Sequence, residues 1–89
     1  MEKRSKHAIP LARDQVEKCV AEADAALDIG RAVLLNRNAE LGHVVNSMSA
    51  IETAILNLGV ADYAEAQSHL GVYGSIMIMH ERMFGEVVY

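Results

Sequence analysis

The sequence is poor in the residues that small disulfide-bonded or all-β proteins rely on. Its 89 residues include no Trp, one Phe, three Tyr, one Pro and one Cys. A single Cys excludes an internal disulfide, and so few aromatic residues disfavour an all-β fold. A hydrophobic fraction of 52% is too high for a disordered chain. These features together predict a single all-α domain.

Basic residues are also scarce. Eight Lys and Arg stand against twelve Asp and Glu, which gives a net charge of -4. This balance opposes the neutralisation of phosphates, so we expect no direct nucleic acid binding, although a basic protein partner would suit it. The first apolar run is too short for a secretory signal, and no segment approaches the ~20 apolar residues that span a bilayer. We therefore expect a cytoplasmic protein without a membrane partner.

Apolar residues in the middle of the chain recur with helical spacing. Steps of three and four residues connect Leu41, Val44, Met48, Ile51, Ile55 and Leu58. Such a repeat predicts an amphipathic helix that packs against other helices. Similar repeats on both sides predict helices over about 10–35, 39–58 and 62–88. Residues 1–9, which contain Lys3, Arg4 and Lys6, are predicted to be a flexible basic arm.

Two segments are predicted to break the helices. Asn36 and Asn38 favour a hairpin turn, with Asn38 capping the next helix. The spacing nevertheless continues from Val16 to Leu58 without a slip, so one continuous coiled-coil helix remains an alternative. Gly59 is expected to end the second helix and Asp62 to cap the third. The prediction is a small antiparallel three-helix bundle, or a helical hairpin plus a third helix, with coiled-coil-like packing.

The third helix carries more apolar surface than one chain can cover. Its predicted buried stripe is Tyr63, Ala66, Leu70, Tyr73, Met77, His80, Phe84 and Val87. In addition, residues 76–79 read Ile-Met-Ile-Met and point all round the helix. Because a helix that is apolar on every side is buried on every side, we expect a homo-oligomer, with a dimer favoured.

Two surfaces are predicted to bind a partner protein. An acidic ridge on the first helix borders its apolar stripe and comprises Asp14, Glu17, Asp24 and Asp28. The apolar surface is the larger one. Its predicted members are Leu41, Val44, Met48, Ile51, Ile55, Tyr73, Ile76, Met77, Met79, His80, Met83 and Phe84.

No motif predicts a cofactor or catalysis. Glu40 and His43 have the Glu-x-x-His spacing found in di-iron bundles, but the second motif and further inward Glu residues that such a site needs are missing. Met77, His80 and Met83 could offer soft ligands to copper, although Met on a helix face is more often packing. The helix after Gly59 has no Lys or Arg in its first two turns to meet DNA phosphates. We expect no metal, no cofactor and no enzymatic activity.

The favoured function is therefore protein binding. The chain would be an adaptor, small chaperone or regulator that acts through an apolar helix face. The alternative is an inhibitor, of the kind that phages and other mobile elements encode, whose acidic ridge blocks a basic nucleic-acid-binding surface of its target. A metal site within the bundle is the least favoured alternative.

Overall fold

The chain folds into three helices. The computed structural model describes residues 2–85, with side chains described from residue 13 onward. Within this part the elements are α1 (Glu2–Leu34), α2 (Leu41–Ala61) and α3 (Tyr63–Phe84), without any strand. All three pairs of helices are in contact. The predicted all-α fold and helical bundle are confirmed.

A short turn over residues 35–40 separates α1 from α2. The Asn38 N–H donates to Asn36 Oδ1 at 2.9 Å, and the Ala39 N–H donates to the Asn36 carbonyl at 3.1 Å. Asn36 therefore closes the turn with its own side chain, which makes the continuous helix wrong. Asn38 is not the cap of α2 either, because that position is occupied by Glu40, whose side chain makes no capping hydrogen bond.

Only Asp62 separates α2 from α3. Its Oδ1 accepts a hydrogen bond from the Glu65 N–H at 3.2 Å, so the predicted N-cap is confirmed. The predicted helix end at Gly59 is wrong, because α2 continues to Ala61. Gly59 does not adopt a positive φ, and a Cβ added there would make an ordinary 3.6 Å contact with Ala66. Nothing at this position requires glycine.

The outer helix ends also differ from the prediction. α1 begins at Glu2 instead of Pro10, so residues 2–9, predicted as an arm, belong to the helix. Glu, Lys and Arg near the start are good helix formers, which explains the earlier start. α3 ends at Phe84, where Gly85 adopts φ 76°, a conformation that favours glycine. The predicted extension to residue 88, including Val87, lies outside the described residues.

The core lies where the three helices meet. α1 and α2 approach closely at Gly30, because a Cβ there would come within 3.0 Å of Ile51 Cγ1. Ile51, Leu34 and Leu58 are the largest fully buried side chains. The buried hydrophobic residues are Ala23, Leu27, Leu34, Val44, Ile51, Ile55, Leu58, Ala66, Tyr73 and Ile76.

Three of the seven described members of the stripe predicted on α3 are buried in this core. Ala66, Tyr73 and His80 are buried as predicted. The remaining described members of the stripe are exposed or only half buried, and they lie along one border of α3: Tyr63, Leu70, Met77 and Phe84. His69 and Ile76 occupy the core instead. Histidines can be buried on this side of α3 because His69 and His80 both find hydrogen-bond partners on α1.

Candidate functional site

The side of the molecule formed by α2 and α3 carries most of the exposed large apolar residues. We call this surface the α2–α3 face. α2 contributes Leu41, Val45, Met48, Leu56 and Val60, and α3 contributes Tyr63, Leu70, Met77 and Phe84. Val60, Tyr63 and Leu56 are the most exposed of them, at 91%, 72% and 71%. The two methionines are half buried and pack against the core.

Helical phase places the α2 residues beside α3. The Tyr73 hydroxyl of α3 donates to Glu52 Oε2 at 2.9 Å, which identifies the side of α2 that borders α3. Val45 precedes Glu52 by seven residues and Leu56 follows it by four, so both project within about 40° of the same direction.

The α3 residues of the face repeat every seven positions. Tyr63, Leu70, Met77 and Phe84 therefore form a stripe along the helix, about 20° of rotation apart from one to the next. Tyr63 and Leu70 lie three residues before and four residues after Ala66, which packs toward Gly59 of α2. The two stripes therefore run beside each other along the α2–α3 boundary.

Two shallow grooves open on this face. One has a volume of about 320 Å³ and is lined by Leu56, Gly59, Val60, Tyr63 and Leu70, among others. The second, of about 330 Å³, is lined by Val45, Met48, Ser49 and Glu52. Both linings are predominantly apolar, so the face offers recesses for apolar side chains of a partner.

Half of the predicted apolar site belongs to the chain's own core. Six of its twelve members are buried there and are not available to a partner, and they are Val44, Ile51, Ile55, Tyr73, Ile76 and His80. The physical reason is that a three-helix domain must first bury the strongest stripe of each helix. The exposed or half-buried members are Leu41, Met48, Met77, Met79, Met83 and Phe84.

The opposite groove, between α1 and α3, is polar. It has a volume of about 390 Å³ and is lined by Asp24, Leu27, Asp28, Ser68, His69 and Val72. All four residues of the acidic ridge, Asp14, Glu17, Asp24 and Asp28, are exposed. Only Asp24 and Asp28 border this groove.

His69 connects α3 to α1 in this groove. Its Nε2 lies 2.8 Å from Asp24 Oδ1, and its Nδ1 lies 2.8 Å from the Glu65 carbonyl oxygen. Both of these oxygens can only accept hydrogen bonds, whereas a neutral imidazole has one N–H to donate. The two hydrogen bonds therefore form together only when His69 is protonated.

The electrostatics of His69 agree with this geometry. Burial lowers its pKa, but the hydrogen bonds to the Glu65 carbonyl and Asp24, with the negative charges of Asp24 and Glu65, raise the pKa above its usual value. The Glu65 carboxylate lies 3.8 Å from Nδ1. The protonated form of the ring thus binds α3 to α1.

His80 makes a second contact of α3 with α1. Its ring is buried, and Nδ1 donates to the Leu34 carbonyl at 2.7 Å. Leu34 is the last residue of α1, so this carbonyl has no partner within its own helix. His80 also contacts the Phe84 ring, with centroids 4.7 Å apart. We infer that its role is structural.

The residues considered for metal binding are dispersed. Glu40 and His43 are exposed at the start of α2. Among the described residues, no group of three or more His, Cys, Asp or Glu side chains could hold a metal ion. Cys19 is half buried and packs against the core.

α2 contradicts the prediction that no segment approaches the length and composition of a membrane span. Its 21 residues are long and apolar enough, by length and composition, to cross a membrane, and 22% of the stretch is buried inside the molecule. Core helices of soluble proteins meet the same criterion, so this property does not assign α2 to a membrane. It reflects the single charged residue of α2, Glu52, and the exposed residues of the α2–α3 face.

The sequence contained signals for the residues that were missed. Val45, Leu56, Val60, Tyr63 and Leu70 were not predicted as partner-binding residues. The seven-residue repeat on α3 and the four-residue steps from Leu41 to Val45 and from Leu56 to Val60 mark this second stripe. His69 was not predicted at a core position because the competing stripe through Leu70 and Met77 is more hydrophobic.

The chain matches no protein-family model, no curated protein and no solved structure. The two surfaces described above are therefore the features of the molecule that bear on its function.

Proposed function

We propose that this protein is a helical protein-binding module that acts through the α2–α3 face as an adaptor, small chaperone or regulator. One observation carries this proposal: seven large apolar residues remain exposed together on one side of the molecule. They are Leu41, Val45, Leu56, Val60, Tyr63, Leu70 and Phe84. Exposed apolar patches of this kind mark interaction sites.

We infer an antiparallel bundle as the scaffold of this module. The order of contacts supports it: Asp24 and Leu34 of α1 meet His69 and His80 of α3 in the same chain order. Gly30 of α1 lies against Ile51 of α2, and the next residue of α2, Glu52, accepts a hydrogen bond from Tyr73 of α3. The middle of α2 therefore contacts both other helices. An up-down-up path with short turns accounts for these contacts.

The proposal is tested by comparing two matched variants as baits in an extract of the native host. Leu56→Lys places a charge on the α2–α3 face. Ile29→Lys makes the same change at a similarly exposed position of α1, which is 66% exposed. We expect the wild type and Ile29→Lys to retain the same partner and Leu56→Lys to lose it. Equal retention by both variants would contradict the proposal.

The acidic ridge supports a second candidate, the inhibitor of a basic nucleic-acid-binding surface. Four exposed carboxylates on α1 favour it. Because Asp24 also bonds His69, the ridge is best tested at Asp14 and Asp28, whose replacement leaves that contact intact. If the ridge binds the partner, Asp14→Lys with Asp28→Lys abolishes binding, and added salt weakens the wild-type complex steeply. Binding through the α2–α3 face would change little in either experiment.

A further inference from the structure

The α2–α3 face is larger than the apolar patches that monomeric proteins expose. If a fully exposed large apolar residue presents about 200 Å², the exposed fractions of its seven exposed residues correspond to about 870 Å². The largest apolar patch of a typical monomer is about 300–600 Å². One partner in a stable interface of standard size contributes about 800 Å². The face is therefore large enough for one complete interface.

The face is also the side of the molecule on which two copies would repel each other least. The chain has a net charge of -4, so like surfaces of two copies repel unless the contact region carries little charge. α2 and α3 together carry four charged residues: Glu52, which accepts a hydrogen bond from Tyr73, and Glu65, Glu81 and Arg82 of α3. Of these, Glu52 and the exposed Glu81, four residues after Met77, lie along the face. α1, by contrast, carries the whole acidic ridge.

The shape of the face suits a copy of itself. It consists of two neighbouring helices of nearly equal length, 21 and 22 residues, or about 32 Å each. Two such helix pairs packed face to face about a two-fold axis form a four-helix bundle at the interface, a common arrangement of soluble homodimers. Gly74 has no atom within 4 Å of an added Cβ, so a second copy can approach α3 closely there.

We infer that the α2–α3 face is occupied by a second copy of this chain in a two-fold symmetric dimer. This inference rests on the proposed function of the face and names its occupant in the purified protein. The dimer also adds apolar burial to a small domain in which ten of the hydrophobic residues with described side chains form the buried core.

The test is the oligomeric state of the purified full chain. Sedimentation velocity over a concentration series, supported by native mass spectrometry, is carried out on the wild type, Leu56→Lys and Ile29→Lys. We expect the wild type and Ile29→Lys to be dimers. A two-fold dimer contains each substitution twice. If each copy of the substitution weakens dimerisation about tenfold, the affinity of Leu56→Lys for itself falls about a hundredfold, and this variant is a monomer.

A second variant separates a lost interface from a lost fold. Gly74→Lys adds a long charged side chain to α3 within the face, and no atom lies within 4 Å of a Cβ there. Ser75→Lys, one residue further, points about 100° away from it and serves as the control. Circular dichroism must show the helix content of the wild type for all variants. We expect Gly74→Lys to be a monomer and Ser75→Lys a dimer.

Other outcomes overturn the inference. A dimer that Leu56→Lys and Gly74→Lys leave intact would mean that another surface forms it. A monomeric wild type would mean that no second copy occupies the face. If that monomer bound phosphatidylcholine vesicles and Leu56→Lys did not, the face would be assigned to a membrane. A wild-type monomer whose Leu56→Lys variant still loses a partner protein would overturn the dimer and leave the proposed function standing.

Discussion

The two sides of α3 use the same helix in different ways. Toward α1, α3 presents His69 and His80, and each finds an acceptor on α1 at 2.8 Å or less. Toward the outer side of α2, it presents Tyr63, Leu70 and Phe84, which remain largely exposed. The first contact is directional and complete within one chain, whereas the second is apolar and open. A helix can thus serve both a core and an interface when its two borders differ in chemistry.

The largest expected effect comes from the core that both sides share. Ile51 is 0% exposed, so Ile51→Ala removes buried methyl groups and leaves a cavity. We expect a loss of about 2–5 kcal/mol in the free energy of unfolding, measured by urea denaturation. Ile29→Ala on α1 is the control, because Ile29 is 66% exposed and lies outside the α2–α3 face, and it should change the stability by less than about 0.5 kcal/mol. Similar losses in both variants would mean that Ile29 is buried.

The close approach of α1 and α2 is tested at Gly30. A Cβ there would come within 3.0 Å of Ile51 Cγ1, and Ile51 cannot move away easily because it is fully buried. Gly30→Ala should therefore destabilise the protein by about 1–3 kcal/mol. Gly71→Ala is the control, since no atom lies within 4 Å of its added Cβ.

Gly71→Ala should stabilise α3 by about 0.5–1 kcal/mol, because alanine is the better helix former. Opposite signs for the two glycines in thermal or urea unfolding would sharpen the contrast between a fitted core and an open surface. Equal stabilisation would show that α1 and α2 are further apart than described.

The contact of α3 with α1 should depend on pH. The pKa of His69 is raised in the folded state by the Glu65 carbonyl and Asp24, which outweigh the opposing effect of burial. Its contribution is therefore fully present below the unfolded pKa of about 6.5 and is lost as the pH rises through the higher folded value. Because Asp24 is largely exposed and screened by water, we expect His69→Gln to cost only about 1 kcal/mol at pH 6.

The control for this pH dependence is His43, which is exposed at the start of α2. Urea denaturation between pH 5 and 9 should show the wild type and His43→Gln losing stability together as the pH rises. The difference between the wild type and His69→Gln should shrink over the same range. A constant difference would mean that His69 is not protonated in the fold.

The smallest effect is expected at the boundary of the two regions. Tyr73 is buried, and its hydroxyl donates to the exposed Glu52 at 2.9 Å. Tyr73→Phe keeps the ring and removes this hydrogen bond, so we expect a loss of about 0.5 kcal/mol in the free energy of unfolding. A loss as large as that of Ile51→Ala would show that the Glu52 contact organises the core.

Much of the fold follows from the sequence alone. The three-four spacing of Leu41, Val44, Met48, Ile51, Ile55 and Leu58 predicts a buried stripe. Four of the six residues are buried, whereas Met48 is half buried and Leu41 is exposed. The Asp62 cap and the turn near Asn36 follow from local side-chain chemistry, which acts over three or four residues. Such features are predictable because neighbouring residues decide them.

The choice between the two borders of α3 was not predictable in this way. Two stripes on α3 have equally good helical spacing, and both contain Ala66, Tyr73 and His80. One stripe is completed by Leu70 and Met77, and the other by His69 and Ile76. Hydrophobicity favours the first stripe, and the structure buries the second. Asp24 lies 45 residues from His69 in the chain, so no local pattern reveals that a buried histidine has a partner there.

By itself, the sequence determined that this protein is all-α and which residue caps α3, and it favoured a turn between α1 and α2 over one continuous helix. These properties depend on periodicity and on hydrogen bonds between near neighbours. Only the tertiary structure decided which apolar residues the chain keeps for its own core and which it leaves on the α2–α3 face. That division depends on the contacts each helix border finds across the bundle, because a side chain is buried by its spatial neighbours and not by its position in the repeat.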